Sequence, residues 1–313
     1  MSRRAWVAFA AVSVVWGTPY LLIKIAVDGG MPPVALAFSR VVLGAVVLLA
    51  IAWRLGTLPT LRGRWRWLAA FGLAEIAIPF PMIAVGEQRV TSSTAAIVIA
   101  TAPLLVALLA IRFEPAERVG GRRLCGLLVG LAGVAALVGL DVSADSGELL
   151  GVAAIFVAAA GYAVGPMVLK RHLADLDPIA AMGASLAIAA LLLAPLAATS
   201  LPAVSPSGGA LASVIVLGLL CTAFAMVLMA VLVDEAGPGR ALVVTYVNPV
   251  IAVGLGVAFL GEAPGLGAVL GLLLILAGSW LATDGRLPSR AAAALCKRGP
   301  NRLGSADGSR NRP

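Results

Sequence analysis

Long apolar runs recur along this chain at short intervals, and no other feature limits its fold so tightly. A hydrocarbon core about 30 Å thick takes about 20 apolar residues of α-helix to cross. Runs of that length follow one another from residue 5 to residue 283, and they predict ten transmembrane helices: 5–26, 33–53, 66–86, 91–111, 121–140, 149–169, 178–198, 209–233, 238–260 and 264–283. Strands do not fit, because the runs are too long for barrel strands and do not alternate apolar with polar. A water-soluble fold does not fit either. Of 313 residues, 61% are hydrophobic and 12% charged, about half the charge of an ordinary soluble domain. The expected fold class is therefore all-α and integral to a lipid bilayer.

The net charge of +8 would suggest nucleic acid on a soluble protein. Here the basic residues sit in short clusters between apolar runs, a pattern of membrane topology, so no nucleic-acid partner is expected. With Arg3 and Arg4 in the cytoplasm, the loops on their side also hold Arg54, Arg62, Arg64, Arg66, Arg112, Arg118, Arg122, Arg123, Lys170, Arg171 and Arg240. The opposite loops hold Asp28, Asp141, Asp145, Glu148 and Glu262, with Arg89 as their basic residue. This asymmetry predicts an even helix count and two cytoplasmic termini. Ala8-Phe9-Ala10 imitates a signal-peptide cleavage site, but the apolar run continues to Ile23, so the first helix is expected to stay uncleaved. Residues 284–313 are rich in Arg, Gly, Ser, Asn and Pro and are expected to form a disordered basic cytoplasmic tail.

The chain resembles itself. Residues 95–103 read AAIVIATAP and residues 241–249 read ALVVTYVNP, a shift of 249 − 103 = 146 that also carries Lys24 to Lys170 and Pro32 to Pro178. A shift of 145 carries Glu117 to Glu262, Gly126 to Gly271 and Gly133 to Gly278. The expected domains are 1–140 and 141–283, five helices each. Five crossings are odd, so the second half enters the membrane from the opposite side. Inverted repeats of this kind give a transporter two pseudo-equivalent gates around a midplane site.

Several residues match a known family pattern: Trp16-Gly17, Arg40, Pro103, and Glu117 with Gly126 and Gly133, then Asn248-Pro249, Gly261-Glu262, Gly271 and Gly278. On these the chain resembles the drug/metabolite transporter superfamily, in particular its ten-helix branch with two EamA-type domains, over about residues 5–283. The halves have diverged, with Tyr162-Ala163 opposite Trp16-Gly17 and Leu186 opposite Arg40. The resemblance implies a central cavity lined by helices 1–4 and 6–9, with helices 5 and 10 peripheral. It implies a multi-pass protein of a bacterial-type plasma (inner) membrane that moves metabolites, amino acids or drugs, often outward.

Ionisable groups inside a membrane helix are costly, at about 2.5–3.5 kcal/mol on insertion scales. Glu75, in FGLAEIAIPF, can carry a proton or hold a cationic substrate, or is a hydrogen-bonded structural acid. Arg40 can bind an anionic group, pair with Glu75, or snorkel to the interface. Lys24 and Lys170 lie at helix ends and are expected to snorkel. Trp16, Thr18, Tyr20, Thr101, Tyr162, Thr245, Tyr246 and Asn248 are candidates to line a substrate cavity, against helix packing as the alternative. Pro103 and Pro249 are paired by the repeat and are the candidate hinges. The GxxxG stripes Gly126–Gly130 and Gly267–Gly271 suit close packing within a subunit or a homodimer contact.

No enzyme is expected, since the chain lacks HExxH, G-x-S-x-G, P-loop and dinucleotide motifs, and no cofactor is implied. Cys125, Cys221 and Cys296 have no CxxC spacing, and lone His172 has no ligand neighbours, so no metal site is expected. The leading reading is a secondary active transporter of small organic solutes, with Glu75 as the candidate for proton coupling. A channel, a scramblase or a lipid-modifying enzyme is the alternative.

Overall fold

The computed structural model describes residues 2–113, 121–140, 146–202, 204–237, 241 and 243–282. Among the described residues there is helix and no strand. Among the described residues, seven helices are long and apolar enough to cross a membrane. In chain order they are α1 (Arg3–Asp28), α2 (Pro33–Arg54), α3 (Trp65–Glu87), α4 (Ser92–Leu109), α6 (Ser146–Leu173), α7 (Pro178–Thr199) and α8 (Gly208–Ala236). Three shorter apolar helices complete the series: α5 (Gly121–Leu140), α9 (Val244–Leu260) and α10 (Leu266–Ala282). The ten expected helices are present. Most ends agree to within a few residues; α9 is described from Val244, Ala241 is also helical, and the other residues that open the expected span, 238–240 and 242, lie outside the described residues. The expected tail and Glu117 lie outside the described residues.

The two halves pack as repeat mates. Helix α5 lies along α10, α2 along α7, and α4 against α9. Other contacts come in matched pairs: α1 on α8 and α6 on α3, α1 on α9 and α6 on α4, α2 on α8 and α7 on α3. These matched pairs are those an inverted repeat of five crossings each brings together. The face carrying the start of α1 and the end of α10 is here the terminal face, and the other is the far face.

Local chemistry interrupts several helices. Helix α1 breaks at Thr18, since Pro19 has no N–H to donate to Val15 O, and the Thr18 hydroxyl joins its own N–H in donating to Val14 O, at 2.7 Å. Helix α3 widens to a π turn over Leu73–Ala77. Pro79 leaves the Glu75 carbonyl without its helical donor, and Ile78 N reaches back to Leu73 O at 3.1 Å. Helix α8 widens over Leu219–Phe224, where the Thr222 hydroxyl donates to Leu217 O at 2.9 Å and competes with the ladder. The starts differ by 219 − 73 = 146, the repeat shift. Helix α4 breaks at Ala100–Thr101, just before Pro103, whereas α9 continues through Pro249.

Small residues let the helices touch backbone to backbone. A Cβ on Gly278 of α10 would stand 2.6 Å from Gly126 O, and one on Gly133 of α5 would stand 2.9 Å from Gly271 O. The glycine stripes of α5 and α10 therefore serve packing between these two helices. Gly261 ends α9 with φ 64°, a left-handed turn that an L side chain resists. That turn aims Glu262 at α4, where its carboxylate accepts from Ser92 N at 2.7 Å, from Ser93 N at 3.0 Å and from the Ser93 hydroxyl. It caps the N-terminus of α4 from the other half.

Candidate functional site

Arg40 sits near the first third of α2 and is 8% exposed. Its Nε donates to Thr222 Oγ1 at 2.9 Å, so the α8 π turn of the second half holds the guanidinium of the first. The guanidinium carbon lies 3.9 Å from the Phe80 ring centroid, a cation–π contact strengthened by desolvation. Among the described hydrogen bonds and ion pairs, Arg40 has no bond to Glu75. Nor does it snorkel, because two partners from α3 and α8 hold it inside the bundle. Its terminal nitrogens bond no described residue and are not among the sealed polar atoms.

Tyr20 of α1, Tyr162 of α6, Cys221 of α8 and Glu87 at the end of α3 all interact electrostatically with Arg40. Trp16, Tyr20 and Tyr162 pack on one apolar cluster that includes Ile83, Ala158, Cys221 and Ala225. Trp16 and Tyr162 are repeat mates, 162 − 16 = 146. A cationic centre with Phe80, Tyr20 and Tyr162 as its aromatic neighbours thus lies where α1, α2, α3, α6 and α8 meet. Such a set can hold an anionic group on the guanidinium and an apolar body on the rings.

Glu75 lies apart from this centre, on the seam between α3 and α6. A Cβ on Gly165 would collide with its Oε2, and one on Gly161 would collide with Ala74 O. Oε2 is sealed and has no hydrogen-bond partner among the described residues. Tyr162 lies within Coulomb range of both Glu75 and Arg40.

The remaining candidates occupy packing positions. Thr18 and Thr101 donate to backbone oxygens one turn earlier, Thr101 to Val98 O at 2.7 Å. Tyr246 donates to Ser279 O of α10 at 3.4 Å. With its amide oriented so that the nitrogen faces these carbonyls, Asn248 donates to Ser13 O at 3.2 Å and Val244 O at 3.0 Å, tying α9 to α1. Thr245 is half-buried on α9. Of the residues singled out from sequence, Tyr20, Arg40 and Tyr162 come together, and Trp16 packs on the same apolar cluster as the two tyrosines. Lys24 does not simply snorkel: its Nζ donates to Glu87 O at 2.8 Å and stands 3.4 Å from Asp28 Oδ1.

Thr222, Phe80 and Glu87 belong to the region and were not expected. Thr222 and Phe80 look like ordinary helix residues until the bundle forms. Glu87 had a readable signal: an acid one residue beyond an apolar run can lie in the last helical turn rather than the loop.

The EamA-like transporter family model matches residues 4–139 and again residues 149–283. The chain is 31% identical over 266 residues to the uncharacterized inner membrane transporter YedA of Escherichia coli (strain K12), covering 82% of each. It is 24% identical over 282 residues to an uncharacterized transporter of Archaeoglobus fulgidus, covering 89% of this chain and 98% of that one. A crystal structure at 23% identity superposes with a TM-score of 0.64 over 91% of this chain and 98% of the other. That likeness concerns the fold.

Proposed function

We propose, for a chain that belongs to the EamA-like transporter family, that it is a secondary active transporter working by alternating access, and that it exports small organic metabolites or drugs. The observation that carries this reading is Arg40, a buried guanidinium of the first half gripped by the π turn of the second. A site shared between inverted halves changes shape whenever the halves exchange conformations. The free guanidinium nitrogens offer two parallel N–H donors to an oxyanion of the solute, and Trp16, Tyr20 and Tyr162 offer ring faces to its apolar part.

The loop charges support a multi-pass protein of a plasma (inner) membrane with the terminal face in the cytoplasm. Glu75, an acid within α3 beside Tyr162, is the residue we assign to proton coupling. The test is uptake of a panel of labelled organic anions, amino acids and amphipathic drugs into proteoliposomes, with and without a pH gradient. The expected result is saturable uptake that the gradient accelerates, with the acceleration lost in Glu75→Gln and uptake itself lost in Arg40→Leu. Non-saturable flux indifferent to the gradient would instead support a channel, and lipid turnover without solute flux would support an enzyme.

A further inference from the structure

Glu87 closes α3 at the far face, and it is 0% exposed. Both of its carboxyl oxygens are sealed, and among the described residues neither has a hydrogen-bond partner. Its nearest cation is engaged elsewhere: Lys24 donates to the main-chain oxygen of Glu87, not to its carboxyl, and stands against Asp28. The charged groups facing the carboxyl are Lys24 and Asp28 of α1, Arg40 of α2 and Glu262 of the α9–α10 turn, with the Tyr20 phenol as the further titratable neighbour. Glu262 makes an instructive contrast, since three donors satisfy it. A buried carboxylate without donors costs several kcal/mol, and a bound proton lowers that cost to the smaller one of a neutral polar group. No solute atom can reach oxygens that have no accessible surface, but a proton needs no such room.

We infer that Glu87 is a proton-binding site of the far gate, carrying its proton while that face is closed. The far face is closed around it, where Ser207 N of the α8 entrance donates to Gly29 O at the end of α1 at 2.9 Å. When the face opens, water reaches the carboxyl and its O–H bond breaks, with the proton passing to water. The carboxylate then draws the Lys24 ammonium away from Asp28, which frees the last turn of α1, whose Gly29 O holds Ser207 N, to leave its closed position. Rebinding of a proton frees Lys24 to return, and the face closes. This rests on the alternating-access reading above, but it needs no solute to be seen.

The test is hydrogen–deuterium exchange of the full chain in lipid nanodiscs at acid and at alkaline pH, corrected for the intrinsic exchange rate. Peptides covering residues 26–31 and 204–210 report the far face. In the wild type these should exchange several-fold faster in alkali than in acid, whereas Glu87→Gln stays protected at both and Glu75→Gln follows the wild type. Glu87→Asp should retain the response with a displaced midpoint, and Lys24→Met should flatten it. A wild-type pH response in Glu87→Gln, or none in the wild type, overturns the proposal. Solute uptake with no such response would sink this gate while leaving the transporter standing. The expected response without uptake would sink the transporter reading instead.

Discussion

Thr222 does two things with one hydroxyl: it donates to Leu217 O and accepts from Arg40 Nε, each at 2.9 Å. It is a positioning residue, holding the guanidinium of Arg40 through its Nε. Hydrogen bonds inside membrane proteins average about 0.6 kcal/mol, because the unfolded chain in lipid finds other partners. Thr222→Val should therefore lower thermal stability by about 1 kcal/mol or less, yet raise the KM for an anionic solute well above its effect on kcat. Thr222→Ser, which keeps the hydroxyl, should restore KM. Equal losses in kcat and KM from both variants would place Thr222 in packing alone. Arg40 and Glu75 are visible in the sequence because an ion in an apolar run is conspicuous. Their relation is not visible: Arg40 answers to Thr222, 182 residues away, and that contact exists only after the halves interlock.

The helices themselves follow from apolar length, and their interruptions follow from particular residues. Pro79 frees a carbonyl in α3 and Thr222 diverts one in α8, so two different side chains widen the helix at repeat-equivalent places. The proline was readable; the bulge in α8 was not, because a threonine in an apolar helix gives no such signal until its hydroxyl turns inward. The glycine pattern was readable as a tendency to close approach, and the partner helix came only from the fold. Gly278→Val should lower the melting temperature strongly, by an overpacking cost of about 1–3 kcal/mol, because the obstruction is the Gly126 backbone. Gly254→Ala, with nothing within 4 Å of the added methyl, should leave stability unchanged or raise it by up to about 1 kcal/mol. Similar melting temperatures for the two variants would mean that α5 and α10 do not touch as described.

Across the whole molecule, the pairing of α2 with α7, α4 with α9 and α5 with α10 makes the two faces near-equivalents, and the cationic centre lies between them. Cys221 marks that centre, buried within the cluster that holds Trp16, Tyr20 and Tyr162, and it serves as a reporter once Cys125 and Cys296 are replaced by serine. A Cβ on Gly29 would stand 2.5 Å from Ser207 Oγ, so a Gly29→Cys, Ser207→Cys pair can form a disulfide that locks the far face. The decisive measurement is the rate at which a membrane-impermeant maleimide modifies Cys221 from each side of oriented vesicles, before and after this lock is closed. Alternating access predicts modification from either face when the lock is open, and, when it is closed, loss of modification from the far face with faster modification from the terminal face. Modification from neither face, or a terminal-face rate indifferent to the lock, would contradict it.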